Sequence, residues 1–439
     1  MRNVGIRRED KDVWEARVPL VPGDVKDLIA RGDVAVAVQP SAQRVFADRE
    51  FAGAGAAVAE DLGDCDIVLA VKEIPVDFFR AGKTYVFFSH TIKGQPYNMA
   101  MLRRMMELGC QLLDYERIVD ERNARLISFS RFAGLAGAVD TLWALGRRLE
   151  WEGLSPNPFA ELEQTYTYGT LDGALDAVAR CEERLAAHGA PEALGPLVIG
   201  VAGDGRVSRG AQEVIAALDP LVVAPDELET VAAGRPSGRR AYEVVFREED
   251  MVARKPEEPS AAGAFDVRDY YEHPERYAGR FARFLPMLPV LINAIYWEER
   301  YPRLVTKADA RALWAGGARP RLTVIGDVSC DIGGSVELTV KETHVGDPVY
   351  VYDPLTDEVH DGFAGRGPVV LAVGNLPCEL PRDASETFSS VLATFMPALV
   401  AADFSALFDE LALPDELRRA LILHHGELTP DYAYLRSFV

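Results

Sequence analysis

Ionisable side chains follow three successive β-type runs in the first third of the chain. They are Lys72 and Glu73 after IVLAV, His90 and Lys93 after TYVFF, and Asp114 and Glu116 after QLL. Ligands of parallel sheets bind outside the carboxyl ends of the strands, so these groups are expected to converge on one crevice. A lysine of lowered pKa and a histidine that titrates near neutrality can divide the proton transfers of one reaction.

The alternative is that each group caps a turn or faces water. A single histidine at a strand end is more often structural, so His90 alone would not indicate a site. Several charges buried together need mutual pairing, and the convergent set therefore favours function. The other six histidines lie in polar contexts and are predicted to be surface residues: His188, His273, His344, His360, His424 and His425. No spacing in the chain is typical of a metal site.

A glycine-rich turn joins an apolar run to a helical pattern in LVIGVAGDGRVSRGAQEVIAAL. Gly203 and Gly205 are expected to let the backbone approach a pyrophosphate, and Gly210 to let the helix pack against the strand. The anion would lie at the helix N-terminus. The spacing GxGxxxxG departs from GxGxxG, which leaves a plain tight turn open. The strand before the turn and the helix after it favour a dinucleotide site.

The residues after the next predicted strand bear on the choice between NAD and NADP. A site selective for NAD usually places Asp or Glu there to bind the ribose 2′-hydroxyl. Here Ala224 ends the strand and Asp226 follows it, while Arg235, Arg239 and Arg240 could serve a 2′-phosphate. The sequence leaves both cofactors open and favours NADP slightly. The predicted cofactor-binding residues are Gly203, Asp204, Gly205, Arg206, Val207, Gly210, Asp226, Ile295, Tyr296 and Val328.

Short β-type runs alternate with helical stretches almost throughout, which is typical of parallel sheets with helices on both faces. The predicted strands are 34–39, 67–71, 84–89, 111–115, 197–201, 221–223, 242–246, 290–295, 322–328, 349–352 and 369–373. A long helix over 133–148 is predicted to leave the first domain, and the helical tail from Pro381 to return to it. Single cores stop growing at roughly 250–300 residues, so 439 residues predict two domains.

The composition narrows the class of protein. A formal net charge of −21 argues against nucleic acid and anionic membranes as partners. The five scattered cysteines are typical of reduced thiols in a cytoplasmic protein, and no apolar run is long enough to span a membrane. Eight of the 47 basic residues are lysines, a bias typical of a GC-rich bacterial genome. The oligomeric state is left open.

Nine motifs give the chain a family resemblance. They are GIRREDKDVWEARVPLVP, VKEIP, FFSHTIKGQPYNM, LLDYERIVDERNARLISFSRFAGLAGA, GDGRVSRGAQE, DYYEHPERYAGRF, INAIYWEERYPRL, DVSCDIGGSVE and NLPCELPRDASETF. They resemble lysine–2-oxoglutarate reductase and, more distantly, the fungal NAD-dependent, lysine-forming saccharopine dehydrogenase. In animals and plants the reductase is fused to a downstream saccharopine dehydrogenase domain, so this chain resembles a stand-alone reductase.

The resemblance implies an α/β fold with two Rossmann-like domains whose parallel sheets flank a central cleft, related to alanine dehydrogenase. A substrate domain would take residues 1–140 plus 377–439, and a dinucleotide-binding domain residues 141–376. The acid–base pair of the family falls on Lys72 and His90. The expected substrate-binding residues are Glu15, Arg17, Glu73, Lys93, Glu116 and Arg125. The implied small molecules are NADP or NAD, an amino acid and a 2-oxo acid.

Two other functions remain open. An enzyme like alanine dehydrogenase, with ammonia as the donor, would share the fold and a Lys/His pair, although DYYEHPERYAGRF and DVSCDIGGSVE favour the saccharopine group. A nucleotide-binding sensor without turnover is also open, and the intact Lys72 and His90 count against it. In lysine-using relatives an Asp precedes NLP, whereas AVGNLP places Gly374 there. We therefore expect 2-oxoglutarate as one substrate and leave the amine donor open.

Overall fold

The computed structural model describes residues 1–234, 238–256 and 265–439. Two compact units divide the chain: Met1–Phe129 with Pro381–Val439 form unit 1, and Ser130–Leu380 form unit 2. Each unit is built on one eight-stranded, mostly parallel sheet, which confirms the predicted α/β class. The sequence ARKPEEPSAAGA, rich in Pro and Ala, predicts an exposed loop near residue 260, and residues 257–264 of it lie outside the described residues.

The described residues form eighteen strands and twelve α-helices, besides short 3₁₀ turns. The strands are β1 (Arg2–Ile6), β2 (Val34–Val38), β3 (Ala57–Val58), β4 (Ile67–Leu69), β5 (Thr84–Phe87), β6 (Gln111–Asp114), β7 (Leu197–Ala202), β8 (Leu221–Val222), β9 (Ala241–Phe246), β10 (Val252–Arg254), β11 (Tyr277–Gly279), β12 (Val290–Asn293), β13 (Val324–Asp327), β14 (Val349–Tyr352), β15 (Val359–Asp361), β16 (Val369–Leu371), β17 (Leu421–His424) and β18 (Glu427–Leu428). The helices are α1 (Pro22–Ala30), α2 (Asp48–Gly53), α3 (Pro96–Glu107), α4 (Ser130–Trp151), α5 (Leu171–His188), α6 (Arg206–Ala216), α7 (Leu228–Ala233), α8 (Glu248–Met251), α9 (Val267–Glu272), α10 (Lys307–Ala315), α11 (Pro381–Ala401) and α12 (Asp415–Ala420).

The sheet of unit 1 has the order β18-β17-β6-β5-β4-β1-β2-β3. Strands β6, β5, β4 and β1 are mutually parallel neighbours, so their carboxyl ends share one edge. Every residue of β4, β5 and β6 is buried, which explains the apolar runs at these positions in the sequence. Residues 381–439 belong to this unit and add β17 antiparallel to β6.

The sheet of unit 2 has the order β15-β14-β16-β13-β12-β7-β9-β8. Strand β9 pairs with β7 in parallel, and β8 pairs with β9 at the sheet edge. Strand β12 lies on the other side of β7, which makes the β7/β12 boundary the point where the strand order reverses. Such a switch point is where doubly wound sheets bind their ligands.

Glycines allow two helices of unit 2 to approach each other closely. A Cβ atom on Gly210 of α6 would lie 2.1 Å from the carbonyl oxygen of Arg131 in α4, and one on Gly134 would lie 1.8 Å from that of Val207. Gly210 therefore serves the packing of helix on helix, and not of helix on strand as predicted. The same contact places all of α4 in unit 2, whereas the predicted boundary of 140/141 would divide this helix.

We expect Gly210→Ala to lower the stability of the protein. The added methyl group meets a backbone carbonyl that cannot move without shifting α4, and overpacking of this kind costs about 1–3 kcal/mol. Thermal unfolding should show a lower melting temperature than in Gly316→Ala, a control in the same unit where a Cβ atom meets nothing within 4 Å. Equal melting temperatures of the two variants would contradict the packing argument.

Helix α11 is long and apolar enough, by length and composition, to cross a membrane. It also carries buried core contacts of unit 1. The Ser385 hydroxyl accepts a hydrogen bond from the Val18 backbone N–H, and the Ser389 hydroxyl accepts one from that of Val21, each at 2.9 Å. Core helices pass the same test of length and composition, and the contacts of α11 are those of a core helix.

Candidate active site

The predicted ionisable groups of unit 1 lie at one edge of its sheet. Lys72 and Glu73 follow β4, His90 follows β5, and Glu116 follows β6. Because β4, β5 and β6 are neighbouring parallel strands, their carboxyl ends lie side by side. Strand β1, which the sequence did not reveal, brings Glu9 to the same edge from the other side of β4.

A hydrogen-bonded carboxylate orients the histidine. His90 Nδ1 lies 2.7 Å from Glu73 Oε1, and Lys11 Nζ donates to Glu73 Oε2 at 2.7 Å. Burial alone would raise the pKa of Glu73, but the bonds from His90 and Lys11 outweigh it and lower this pKa to about 2. Glu73 is therefore ionised and can only accept, so Nδ1 carries the proton and Nε2 is left for proton exchange.

The environment of Lys72 lowers the pKa of its side-chain amine. Burial lowers its pKa most, and the neighbouring charges of Arg17 and Lys11 lower it further. Glu15 and Glu73 act in the opposite direction, and the lowering dominates. A lysine whose pKa is lowered in this way can act as a general base closer to neutral pH than an exposed lysine can.

Glu9 holds the backbone of the candidate lysine. Its carboxylate is buried and accepts hydrogen bonds from the backbone N–H of Val71 at 2.6 Å and of Lys72 at 3.0 Å. Burial and the charge of Glu15 raise the pKa of Glu9 to about 7, against the opposing effect of these two bonds. Glu9 is within the motif GIRREDKD, but sequence reasoning did not select it, because its partners are backbone groups of a distant segment.

The raised pKa of Glu9 predicts a pH dependence of stability. Between its ordinary value of 4.5 and about 7 the folded protein binds this proton more tightly than the unfolded chain, so stability falls as pH rises through that window. The contribution is about 3 kcal/mol. The melting temperature of Glu9→Gln should therefore fall less between pH 5 and pH 8 than that of the wild type. Glu121 is exposed, and Glu121→Gln should show the same change of melting temperature with pH as the wild type. If the melting temperatures of Glu9→Gln and the wild type changed equally with pH, the raised pKa of Glu9 would be contradicted.

A buried arginine–carboxylate pair lies in the segment before α1. Arg17 Nε donates to Glu15 Oε1 at 2.7 Å and its Nη2 donates to Glu15 Oε2 at 2.5 Å. Both side chains are essentially inaccessible, and the guanidinium lies 4.2 Å from the centre of the Phe129 ring. Glu15 thus engages the Nε/Nη2 edge of Arg17, one of the two edges of a guanidinium that can hold a carboxylate bidentately.

The turn that carries His90 has an unusual backbone. His90 has φ +49°, in the left-handed region that non-glycine residues rarely adopt. Asp114 fixes the preceding residue, because its Oδ2 accepts from the Ser89 backbone at 3.0 Å and from the Ser89 hydroxyl at 2.5 Å. The same hydroxyl lies 2.8 Å from that of Thr91, so both neighbours of His90 are held. Asp114 is thus a positioning residue that the sequence had placed at the strand end without a role.

The remaining predicted residues of unit 1 are more exposed. Arg125 forms an ion pair with Glu116 across the 3₁₀ turn after β6. Lys93 is exposed and forms no ion pair with the described part of the chain. Among the six other histidines, His424 is buried and not on the surface as predicted, because β17 places it in the sheet.

The glycine-rich turn of unit 2 fits a dinucleotide. Gly203 has φ +99°, and a Cβ atom there would lie 3.0 Å from the Ala294 carbonyl oxygen and 3.2 Å from Ile295 Cγ2. The turn after β7 therefore lies against Ala294 and Ile295 of the segment after β12, at the switch point. Tyr296 is the next residue of that segment. A Cβ atom on Gly205 would meet nothing within 4 Å, so its backbone is open to a ligand. Val328 follows β13, and its N–H donates to the Asn293 carbonyl at 3.0 Å.

The described residues that were predicted to select between NAD and NADP do not lie at the carboxyl end of the strand beside β7. Asp226 is in the 3₁₀ turn after the edge strand β8. Arg239 and Arg240 precede β9 and lie at its amino end, where Arg240 pairs with Asp219 at 3.3 Å. Arg235 lies outside the described residues. The neighbour of β7 is β9, and not β8, which is the second strand of unit 2 in chain order. The predictions assumed that the second strand lies beside the first, and this assumption was wrong.

A glycine-rich turn at a switch point, together with lysine and histidine at strand ends of a second sheet, is typical of a nicotinamide-dependent dehydrogenase. Two models of one such family match the chain: the alanine dehydrogenase/PNT N-terminal domain over residues 5–136 and the alanine dehydrogenase/PNT C-terminal domain over residues 275–431. The chain belongs to the alanine dehydrogenase/PNT family.

Relatives and solved structures agree with this family. The chain is 33% identical to the mitochondrial alpha-aminoadipic semialdehyde synthase of Bos taurus, with 99% of this chain covered. It is 36% identical to the alpha-aminoadipic semialdehyde synthase of Arabidopsis thaliana, with 98% of this chain covered. It spans 47% and 41% of those two proteins, about half their length or less. It is 27% identical to saccharopine dehydrogenase [NAD(+), L-lysine-forming] of Emericella nidulans, with 90% of this chain and 91% of that protein covered. An L-alanine dehydrogenase structure shares the fold at a TM-score of 0.62 and 17% identity, with both chains fully covered.

Proposed function

We propose that this protein is an NAD(P)-dependent oxidoreductase of the saccharopine type, which condenses an amine with 2-oxoglutarate and reduces the product, or catalyses the reverse reaction. The observation that carries the proposal is the set formed by Lys72, Glu73 and His90 at adjacent strand ends. A base of lowered pKa beside a carboxylate-oriented imidazole suits a reaction that needs several proton transfers. The similarity to saccharopine-metabolising relatives supports the same reaction class.

The chemistry assigns a step to each side chain. The amine must be neutral to attack the 2-oxo carbon, and Lys72, with its lowered pKa, accepts the proton that the amine loses. The resulting carbinolamine must lose water, and His90 protonates the leaving hydroxyl through Nε2 while Glu73 stabilises the imidazolium. The reduced nicotinamide, when bound, supplies the hydride that reduces the imine carbon. Gly203 and Gly205 would hold its pyrophosphate.

The amine donor is proposed to be L-lysine. The carboxylate expected before NLP is absent at Gly374, but a Cβ atom there would lie 1.6 Å from Glu342 Oε1. The carboxylate of Glu342 thus fills the space that a side chain at position 374 would occupy. We infer that Glu342 supplies the negative charge that the family places at position 374. A cytoplasmic location and a preference for NADP belong to the same proposal.

An amine panel tests the proposal. Oxidation of NADPH and NADH is followed with 2-oxoglutarate and, in turn, L-lysine, ammonia or no amine. Lysine-dependent oxidation at sub-millimolar lysine is the expected result. Activity with ammonia alone would instead favour an enzyme like alanine dehydrogenase. Nucleotide binding without oxidation under any of these conditions would favour the sensor and contradict the proposed reaction.

A further inference from the structure

The strand next to β7 carries an arginine at the end where cofactor selectivity is decided. In doubly wound sheets, Asp or Glu in this region binds the ribose 2′-hydroxyl of NAD, whereas a nearby Arg accommodates the 2′-phosphate of NADP. Strand β9 fills this position by pairing with β7 along Leu197–Ala202, and Arg247 follows its last residue, Phe246. We propose that Arg247 binds the 2′-phosphate of NADP(H) and sets the cofactor preference, an inference that rests on the proposed nucleotide-dependent function.

The guanidinium of Arg247 stands beside the glycine-rich turn. Its Nε lies 3.8 Å from Oδ2 of Asp204, a residue of the turn itself. That separation is too long for a hydrogen bond, so Asp204 attracts the guanidinium by charge without engaging its N–H donors. Both side chains are more than half exposed, at 64% for Arg247 and 55% for Asp204. An arginine fork with available donors matches the geometry of a phosphate.

The acidic residues that follow Arg247 do not take the place of a ribose-binding carboxylate. Glu248 Oε1 accepts a hydrogen bond from the Tyr271 hydroxyl at 2.5 Å, which engages that carboxylate with α9. The Asp250 side chain accepts from the Arg247 backbone N–H at 2.9 Å, which engages that carboxylate at the start of α8. The first charged group beyond β9 is therefore a cation, which favours the phosphorylated cofactor.

The chain offers a matched control at the other end of the same strand. Arg240 directly precedes β9, is exposed and pairs with Asp219 at 3.3 Å, whereas Arg247 lies 3.8 Å from Asp204. Because the carboxyl ends of the strands form the ligand crevice, Arg240 lies at the wrong end to reach the same phosphate. Arg240→Ala removes an equivalent charge from the protein without touching the proposed subsite.

Calorimetric titration of the full chain with NADPH and with NADH tests the inference, without requiring turnover. Wild type is expected to bind NADPH at least about tenfold more tightly than NADH, as one charge-assisted contact allows. Arg247→Ala should weaken NADPH about 10- to 100-fold and leave NADH within a factor of about two. Arg240→Ala should change neither affinity. Adenosine 2′,5′-bisphosphate and 5′-AMP should reproduce the difference, since they differ only in the 2′-phosphate.

The outcomes separate this inference from the proposed function. Binding of NADH and NADPH with equal affinity by the wild type, or unchanged NADPH affinity in Arg247→Ala, would overturn the role of Arg247 while leaving a nicotinamide-dependent enzyme in place. Loss of NADPH affinity in Arg240→Ala of the same size as in Arg247→Ala would overturn it as well, because a general charge effect would then explain both. Failure of the wild type to bind either nucleotide would overturn both the inference and the proposed function.

Discussion

Replacing Lys72 with methionine, or His90 with glutamine, should lower turnover at neutral pH by about 10²–10⁴-fold, the usual range for general acid–base groups. Methionine keeps the length of the lysine side chain but cannot exchange a proton. Glutamine cannot exchange a proton as imidazole does, so the step assigned to Nε2 is lost. Both residues lie in unit 1, and nucleotide affinity, which we place in unit 2, should stay within a factor of about two in calorimetric titrations.

Two exposed residues serve as controls for these variants. Lys26→Met in α1 and His188→Gln in α5 remove the same side chains where they are exposed, and each should keep wild-type turnover. The double variant Lys72→Met/His90→Gln should lose less activity than the product of the two single losses. The two groups act in one sequence of proton transfers, so their effects are not independent. Near wild-type turnover in both single variants would show that the assignment is wrong.

Gly205→Val should abolish nucleotide binding while the protein remains folded. Gly205 has an ordinary φ of −75° and a Cβ atom there meets nothing within 4 Å, so the fold tolerates a side chain. The valine would project into the space that the pyrophosphate is proposed to occupy, and affinity should fall by more than about 100-fold.

A comparison with Gly203 shows why position 205 is the better test. A side chain at Gly203 would be strained by the φ of +99° and would press on the Ala294 carbonyl, so loss of binding there could follow from misfolding. Circular dichroism and thermal unfolding of Gly205→Val should match the wild type. Calorimetry that finds unchanged NADPH and NADH affinities in that folded variant would remove the turn from the cofactor site.

The sequence predicted most strands because buried parallel strands are continuous apolar runs. The run at 349–352 agrees in both bounds with β14, and predicted 242–246 differs by one residue from β9. Four strands of unit 1 were missed: β1, β3, β17 and β18. Strand β1 begins with Arg2 and Asn3 and is only five residues long, and β3 and β18 have two residues each. Strand β17 directly follows α12 and forms a hairpin with β18, in a tail that otherwise has helical spacing.

The candidate site was predictable where it follows from strand ends and not where it follows from tertiary contacts. Lys72 and His90 directly follow apolar runs, so the strand-end rule selects them. Glu9 acts through two backbone N–H groups more than 60 residues away, and no local pattern encodes that contact. Arg247 was missed for a related reason: chain order does not reveal that β9, and not β8, lies beside β7.

The most direct test of the proposed reaction is the product formed from L-lysine, 2-oxoglutarate and reduced nicotinamide that carries deuterium at the transferred position. Mass spectrometry should find a secondary amine that joins both carbon skeletons and contains one deuterium on the carbon derived from the 2-oxo group. Lys72→Met should form it at least about 100-fold more slowly. Deuterated glutamate formed with ammonia, or no deuterium transfer with any amine of the panel, would contradict the account.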